Sequence, residues 1–188
     1  MAKVYEVAAG ASTSTVEGGQ PTPILVEGSM RRAEIDSTWI YGRALATASD
    51  ATIRASVRRI APTPARILAM EAPSGGAGPY RRDTLALVLR TAFAGFLAAQ
   101  DRAPVPIHTG FWGCGAYGGD RVAMVALQIE AARLAGVSRL VVHAPLRSAL
   151  VDVHDAIAWH GAVGAQTGAL FLDAAASAGW CWHGGDGN

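Results

Sequence analysis

Short apolar runs and longer amphipathic stretches alternate along the first third of the chain. The run KVYEVAA predicts a strand, and the small, polar, glycine-rich residues of Gly10–Pro23 predict a loop after it. Pro23–Glu27 (PILVE) is a short apolar run between Pro and Gly, which is typical of a buried strand. Helical spacing over Ser37–Ile60 predicts a helix, which Pro62 and Pro64 should terminate.

The same alternation continues through the rest of the chain. Apolar runs predict three further strands, over Ala65–Glu71, Val105–His108 and Ser138–His143. Helical spacing predicts three further helices, over Arg82–Ala99, Arg121–Leu134 and Ser148–Trp159. Asp120 stands where an N-cap belongs and Gly136 where a helix ends. Strands alternating with helices indicate an α/β fold of three layers, α/β/α, with a mostly parallel central sheet covered on both faces.

The composition fits one compact domain. The chain has 188 residues, of which 51% are hydrophobic and 16% charged, enough for one sizeable core and too few for two. Neither an internal repeat nor a long linker divides it. We therefore expect a single domain over residues 1–188, in which residues 165–188, ending in GWCWHGGDGN, form a C-terminal tail.

Charge and hydropathy limit the partners that we expect, and the cysteine content indicates a location. The formal net charge is +1 and no basic stripe is visible, so we expect no nucleic-acid partner. No segment approaches about 18 consecutive apolar residues, and MAKVYEVAAG lacks the apolar stretch of a signal peptide, so we expect no membrane partner. The chain has two cysteines, Cys114 and Cys181, which are too few for a disulfide framework. We therefore expect a cytoplasmic location.

The most unusual stretch is His108–Asp120, HTGFWGCGAYGGD, which lies between a predicted strand and a predicted helix. Ligands of open α/β sheets bind at the carboxyl ends of strands. Glycines let the backbone approach an anion, and the amides at a helix start carry partial positive charge, so a pyrophosphate fits this loop. The spacing matches neither GxGxxG nor a Walker loop. The alternative is a glycine-rich turn that only lets Trp112 and Tyr117 pack.

The stretch HTGFWGCGAYGGDRVAMVALQIEAARLAG resembles the signature of the poly(ADP-ribose) glycohydrolases, a family with the macrodomain fold. The matching residues are Thr109, Gly110, Trp112, Gly113, Cys114, Gly115, Ala116, Gly118, Gly119 and Asp120. Tyr117 replaces an aromatic residue that packs beside the family's ligand, and Phe111 stands where the family has asparagine. Weaker similarity on both sides extends the resemblance over Ile24–Ile157, the C-terminal half of that family's catalytic domain.

The resemblance implies a macrodomain-like domain, shortened at its N-terminal side, that binds ADP-ribose or a related nucleotide diphosphate such as an NAD derivative. The implied ligand-binding residues are Thr109, Gly110, Phe111, Trp112, Gly113, Cys114, Gly115, Ala116, Tyr117 and Gly118. Glu27–Ser29 and the loop Pro73–Pro79 are expected on the rim of this pocket. We expect neither a cofactor nor a metal ion.

The catalytic Gln-Glu-Glu motif of the family has no counterpart in these 188 residues. Glycosidic cleavage needs a positioned acid, and general acid–base help is worth about 10²–10⁴-fold. Among the carboxylates that would supply it, we predict Glu27 and Glu17 as catalytic. Glu27 ends a buried strand before Gly28, and Glu17 lies in the glycine-rich segment GASTSTVEGGQ. Glu34 and Asp36 are further candidates, and an ordinary surface role is the alternative for each.

Three functions remain open at this point. The first is a glycohydrolase that cleaves an N- or O-glycosidic bond of ADP-ribose or an NAD-derived nucleotide with diverged catalytic residues. The alternative is a binding module that holds such a ligand without cleaving it. The third is a scaffold, in which Trp180 and Trp182 are interface anchors. A shortened N-terminal side would also expose apolar sheet surface, which a homodimer would cover.

Cysteine and histidine residues offer weaker candidates. The position of Cys114 near a helix start predicts a lowered thiol pKa, and His108 would be its partner in a nucleophilic pair. The alternative is that Cys114 is only a small buried residue in a tight loop. His108 and His143 end strands that should be neighbours, and packing or backbone hydrogen bonds are their expected roles. His154 and His160 are six residues apart, so they cannot share one helix face as metal ligands.

Overall fold

A computed structural model of the chain describes residues 3–5, 14–36, 40, 43–101, 103–163 and 168–185. Its strands are β1 (Lys3–Tyr5), β2 (Val16–Glu17), β3 (Gln20–Pro21), β4 (Ile24–Ile35), β5 (Val57–Ala69), β6 (Ile107–Thr109) and β7 (Leu140–Val142). Its helices are α1 (Arg43–Ala46), α2 (Asp50–Ser56), α3 (Arg82–Ala99), α4 (Arg121–Leu134), α5 (Leu150–Val163) and α6 (Ala169–Ser177). The predicted α/β class is therefore confirmed.

The strands pair in both directions. One sheet has the order β1-β4-β5, in which β1 is parallel and β5 antiparallel to β4. β6 and β7 form a parallel pair, and β2 and β3 form a small antiparallel hairpin inside the predicted loop Gly10–Pro23. The expected mostly parallel sheet is thus present only in part, because a long antiparallel hairpin of β4 and β5 dominates the first sheet.

The helix predicted over Ser37–Ile60 is confirmed in part, because α1 and α2 lie within this range, and it is wrong for Val57–Ile60. α2 ends at Ser56, and the chain then enters β5 without a loop. Of the first half, residues 37–39 and 41–42 lie outside the described part of the chain. The helical spacing is a local signal, and pairing with β4 overrides it between Val57 and Ile60.

The predicted helix terminators, Pro62 and Pro64, lie inside β5. β5 is the outer strand of its sheet. Proline has no backbone N–H to donate, and an outer strand tolerates this because one of its sides forms no hydrogen bonds with another strand. Pro64 stands opposite Met30, and an ion pair between Arg58 and Glu34 supports the far end of the hairpin. The short strands predicted over 23–27 and 65–71 are therefore parts of two much longer strands.

The two central helices form as predicted. α3 has the predicted bounds, and a Cβ added at Gly95 would stand 2.8 Å from Met70 Sδ, so this glycine lets α3 approach β5 closely. α4 begins after Asp120, whose carboxylate accepts a hydrogen bond from the amide of Ala123 at 2.9 Å. It ends before Gly136, which has a φ of +69°. α5 is shifted by a few residues from the prediction, as expected for helix ends.

The main core lies between α3, α4 and α6. Its buried side chains include Leu85, Val88, Phe96, Met124, Leu127 and Phe171. Burying each such side chain contributes about 1.5–3 kcal/mol. α6, for which the sequence predicted no element, inserts Phe171 and Ala175 into this core. Within the described residues, no helix is long and apolar enough to cross a membrane.

Candidate functional site

The glycine-rich segment Gly110–Asp120, here called the signature loop, connects β6 to α4. Its start is held by Gln128, a fully buried residue of α4. The Thr109 hydroxyl donates a hydrogen bond to Gln128 Oε1 at 2.6 Å, and Gln128 Nε2 donates to the Gly110 carbonyl at 3.2 Å. The helix that follows the loop therefore also fixes the residues that enter it.

Internal hydrogen bonds fold the signature loop into successive turns. The amide of Gly118 donates to the Gly115 carbonyl, and the amide of Gly119 donates to the Gly113 carbonyl, each at 3.0 Å. Gly113 and Gly118 have φ values of +77° and +64°, which L side chains rarely adopt. A Cβ at Gly119 would stand 2.8 Å from the Gly113 oxygen. This loop conformation therefore requires glycine at these positions.

The signature loop leaves three consecutive amides available. Among the described residues, none accepts a hydrogen bond from the backbone N–H of Gly115, Ala116 or Tyr117. Ala116 and Tyr117 are exposed, and the positive end of α4 begins four residues after Ala116 with its N-cap, Asp120. Adjacent unpaired amides beside a helix N-terminus favour an anion such as a phosphate group.

The aromatic and thiol side chains of the loop face inward. Trp112 and Cys114 pack against the main core, and Phe111 packs against a smaller core between α4 and α5. The indole Nε1 of Trp112 is buried and has no hydrogen-bond partner in the described part of the chain. Tyr117, by contrast, is 50% exposed at the tip of the loop. Of the predicted ligand-binding side chains, Tyr117 is therefore the best placed to touch a ligand.

Cys114 is not an activated thiol. Burial raises the pKa of the Cys114 thiol to about 12, and the negative charge of Asp120 adds to the increase. The predicted lowering of this pKa is wrong because desolvation outweighs the helix N-terminus. The sulfur lies 3.6 Å from the Trp112 carbonyl oxygen, to which it donates. A nucleophilic pair with His108 has no support in this arrangement.

The loop after β5, residues 71–81, lies beside the signature loop. A Cβ at Gly75 would stand 3.3 Å from the Tyr117 carbonyl oxygen, and one at Gly113 would stand 3.0 Å from Ala72 Cβ. The structure thus places Pro73–Pro79 next to the signature loop. This loop, the first turns of α3 and Trp182 enclose a cavity of about 440 Å³, whose polar lining includes Glu71, Ser74, Arg81, Thr84 and Thr91.

The two carboxylates predicted as catalytic lie on different elements. Glu27 lies within β4, where its Oε1 is 2.8 Å from Arg66 Nη2. β4 begins at Ile24, which lies opposite Ala69, the last residue of β5. Glu27 is three residues further along β4, so it lies about 10 Å from the end of the hairpin at which β5 continues into the site. Glu17 is exposed on β2, before the turn at Gly18 and Gly19. The ion pair with Arg66 indicates a structural role for Glu27 on the hairpin.

Sequence reasoning missed a third carboxylate, Glu71. It follows β5 at the site edge and lines the 440 Å³ cavity together with Val16 of β2. The Thr15 hydroxyl donates a hydrogen bond to Glu71 Oε2 at 3.1 Å, which joins this carboxylate to the segment that carries Glu17. The signal was available in ILAMEAPSGG, where a carboxylate ends an apolar run immediately before a glycine-rich loop.

His108 lies within β6 and His143 directly follows β7, and the two strands are neighbours, as predicted. β6 pairs with β7, and the amide of His143 donates to the Thr109 carbonyl at 2.8 Å. The two rings stack with centroids 5.1 Å apart, and His108 Nδ1 lies 2.8 Å from His143 Nε2, so one nitrogen donates to the other. Within the described ranges, no group of three or more His, Cys, Asp or Glu residues is arranged to hold a metal ion.

The loop after β5 is also bonded to the end of the signature loop. The hydroxyl of Tyr80 accepts a hydrogen bond from the Asp120 amide. Burial raises the pKa of Tyr80 to about 12, while this hydrogen bond partly opposes the increase. Tyr80 therefore stays neutral across the physiological range and serves as a fixed link between the two loops.

Comparison with known proteins agrees with this geometry. A family model described as "Poly (ADP-ribose) glycohydrolase (PARG), Macro domain fold" matches residues 26–149. The matched range covers more than half of the chain and includes β5, α3, β6, the signature loop and α4. Among curated proteins, none matches the chain. With the signature loop, its glycines and its helix cap all inside the matched range, the chain belongs to the poly(ADP-ribose) glycohydrolase family and has the macro domain fold.

Proposed function

We propose that the protein binds ADP-ribose, or a nucleotide diphosphate that contains it, at the signature loop and hydrolyses a glycosidic bond of such a nucleotide. The observation that carries this proposal is the set of three unpaired amides at Gly115, Ala116 and Tyr117 beside the N-terminus of α4. These donors match the oxygens of a diphosphate, and the helix dipole favours its negative charge.

The surroundings of the loop support a nucleotide in particular. A cavity of about 440 Å³ falls within the range that small-molecule sites occupy, and it adjoins the signature loop through Gly75. Arg81 lines this cavity, and a guanidinium group can bind phosphate oxygens in a forked arrangement. The exposed ring of Tyr117 offers a face for a base or a ribose.

A glycosidic bond breaks through an oxocarbenium-like state, so a carboxylic acid near the leaving oxygen is required. Glu71 lines the cavity at the site edge, and the Thr15–Glu71 hydrogen bond joins it to the segment that carries Glu17. Glu27 is the less suitable candidate, because Arg66 already engages one of its oxygens. We therefore assign the acid to Glu71 or Glu17 before Glu27.

A non-catalytic binding module is the alternative function. It is favoured by the absence of a Gln-Glu-Glu motif from the 188 residues and by the ion pair of Glu27. Under this alternative the same amides would hold the diphosphate, and no carboxylate would contact the distal ribose. The two functions predict equal binding and differ only in turnover.

Calorimetric titration with ADP-ribose, followed by chromatography of mixtures with poly(ADP-ribose) and with NAD, separates these functions. We expect binding and a cleaved product. Glu71→Gln or Glu17→Gln should reduce the turnover rate by about 10²–10⁴-fold with little change in affinity, whereas Glu27→Gln should leave turnover nearly unchanged. Binding without turnover would establish the module, and absence of ADP-ribose binding would overturn both functions.

A further inference from the structure

Residues Trp180–Gly185, here called the C-terminal segment, cross over both loops of the candidate site. They follow α6 and lie outside the range that the family model matches. The amide of Trp182 donates to the Gly78 carbonyl at 2.9 Å, and the amide of His183 donates to the Gly118 carbonyl at 2.7 Å. The C-terminal segment thus joins the loop after β5 to the signature loop by direct backbone hydrogen bonds.

The contact between the C-terminal segment and the signature loop is too close for side chains. A Cβ added at Gly118 would overlap the carbonyl oxygen of His183, and one added at Gly185 would overlap the carbonyl oxygen of Ala116. A Cβ at Gly184 would meet no other atom within 4 Å. The two backbones are therefore in direct contact at two places, Gly118 against His183 and Gly185 against Ala116, whereas there is space for a side chain at Gly184.

The C-terminal segment lies on the carbonyl side of the signature loop. The Ala116 carbonyl faces Gly185, and the described residues contain no cis peptide bond. In a trans peptide the C=O of one residue and the N–H of the next point in opposite directions, so the Tyr117 amide points away from Gly185. The C-terminal segment therefore contacts the loop on the side opposite to the Tyr117 amide and leaves this amide uncovered.

A side chain extends the contact to the helix. His183 Nε2 lies 3.2 Å from Asp120 Oδ2, while Asp120 Oδ1 accepts the capping hydrogen bond from the amide of Ala123. One carboxylate therefore joins the C-terminal segment to the start of α4. The Trp182 ring packs 4.4 Å from the ring of Tyr80, centroid to centroid, which anchors the segment on the other loop.

We infer that the C-terminal segment positions the signature loop for binding: it holds the loop in the conformation that presents the amides of Gly115–Tyr117 to an anion. His183 is a positioning residue in this role. The effect on a nucleotide rests on the proposed function. The support of the loop itself is independent of the ligand, because it follows from contacts between two parts of the chain.

Gly185→Ala and Gly184→Ala form a matched pair of variants, since each adds one methyl group and only the first meets the signature loop. We expect hydrogen exchange over residues 110–120 to become at least about tenfold faster in Gly185→Ala and to stay at the wild-type rate in Gly184→Ala. Unchanged exchange in Gly185→Ala would overturn the inference, whether or not ADP-ribose binds.

Ligand titrations then test the link to binding. The dissociation constants for ADP-ribose and for inorganic pyrophosphate should both rise about tenfold in Gly185→Ala, and neither should change in Gly184→Ala. If exchange becomes faster while both constants stay the same, the positioning role is overturned and the proposed function stands. If wild type binds pyrophosphate and not ADP-ribose, the proposed function fails, and a weaker pyrophosphate affinity in Gly185→Ala supports the inference.

Substitution of His183 tests the side-chain contact. His183→Ala removes the hydrogen bond to Asp120 and should weaken pyrophosphate binding about threefold to tenfold. His183→Gln can place an amide nitrogen near the position of Nε2 and should restore most of the affinity. Equal affinities of His183→Ala and wild type would remove His183 from the proposal, as would a His183→Gln variant no better than His183→Ala.

Discussion

The Tyr80 hydroxyl accepts a hydrogen bond from the backbone amide of Asp120 at 2.9 Å, across the junction between the loop after β5 and the start of α4. Tyr80 is buried, and its oxygen is the acceptor for this amide within the described residues. The same Asp120 caps α4 with its carboxylate. The Tyr80 oxygen therefore holds Asp120 in place at the end of the signature loop, where Asp120 also caps α4.

Tyr80→Phe should lower the free energy of unfolding by about 1–3 kcal/mol, because it removes the acceptor of the Asp120 amide. The measurement is urea denaturation at pH 7. Tyr117→Phe is the matched control, since Tyr117 is half-exposed, and its effect should stay within about 0.5 kcal/mol. Equal stabilities of the two variants would contradict the structural role of the Tyr80 hydroxyl.

The stabilising effect of Tyr80 should disappear in strong alkali. Burial raises its pKa in the folded protein to about 12, against 10 in an unfolded chain. Between pH 10 and 12 the unfolded chain loses this proton and the folded protein keeps it, so stability falls as pH rises. The free energy of unfolding of wild type should therefore exceed that of Tyr80→Phe by a constant difference below pH 10, and this difference should shrink above pH 10. A difference that grows above pH 10 would contradict the sign of the shift.

Cys114 should react slowly with thiol reagents. Its pKa of about 12 keeps the thiol protonated at pH 8, and only the thiolate attacks a disulfide reagent. In Cys181→Ala, where Cys114 is the remaining thiol, reaction with an aromatic disulfide should be far slower than in Cys114→Ala, whose remaining thiol is Cys181. Both variants should react at similar rates in denaturant. Fast reaction of native Cys181→Ala would show that the loop exposes its cysteine.

The helices and the signature loop could be predicted because their signals are local. The bounds of α3 follow from a continuous helical run, and Asp120 caps α4 within three residues of the amide it binds. The position of the loop at a strand end also depends only on neighbouring residues. These features require no knowledge of distant parts of the chain.

Features that depend on distant pairing could not be predicted. The extended form of Val57–Ile60 depends on hydrogen bonds to β4, and local helical spacing favoured the wrong structure there. The contact of His183 with Asp120 joins residues that are 63 positions apart in the sequence. The pKa of Cys114 depends on burial by the surrounding core, and the sequence shows only the nearby helix start. In each case the physical cause is a tertiary contact.

Glu130 forms a buried ionic link between α4 and α5. Its carboxylate is fully buried and lies 2.7 and 2.8 Å from two nitrogens of Arg133 and 3.0 Å from His160 Nε2. Glu130→Ala should cost about 1.5–3 kcal/mol in urea denaturation, because it removes the charge-assisted hydrogen bonds to Arg133 and His160. Glu34, which pairs with arginines at the surface, is the control, and Glu34→Ala should cost less than about 1 kcal/mol.

The pH dependence of this link provides a second check. Burial alone would raise the pKa of Glu130, but hydrogen bonds from Arg133 and His160 outweigh it, so the pKa lies below its ordinary value of 4.5. Its contribution to stability is present above pH 4.5 and is lost as the pH falls through the lowered pKa. The stability difference between wild type and Glu130→Gln should therefore shrink in acid, and a difference that persists at pH 2 would contradict the ionic link.

The hydrogen bond from Thr109 to Gln128 should control the order of the signature loop. Thr109→Val preserves shape and removes the hydroxyl, so Gln128 Oε1 is left buried without its donor, which should cost about 1–3 kcal/mol. Because Gln128 Nε2 also holds the Gly110 carbonyl, a displaced Gln128 side chain would release the entrance of the loop. Hydrogen exchange over residues 110–120 should accelerate in Thr109→Val and stay unchanged in Thr63→Val, whose hydroxyl is exposed on β5. Equal exchange in both variants would show that the loop is ordered without this bond.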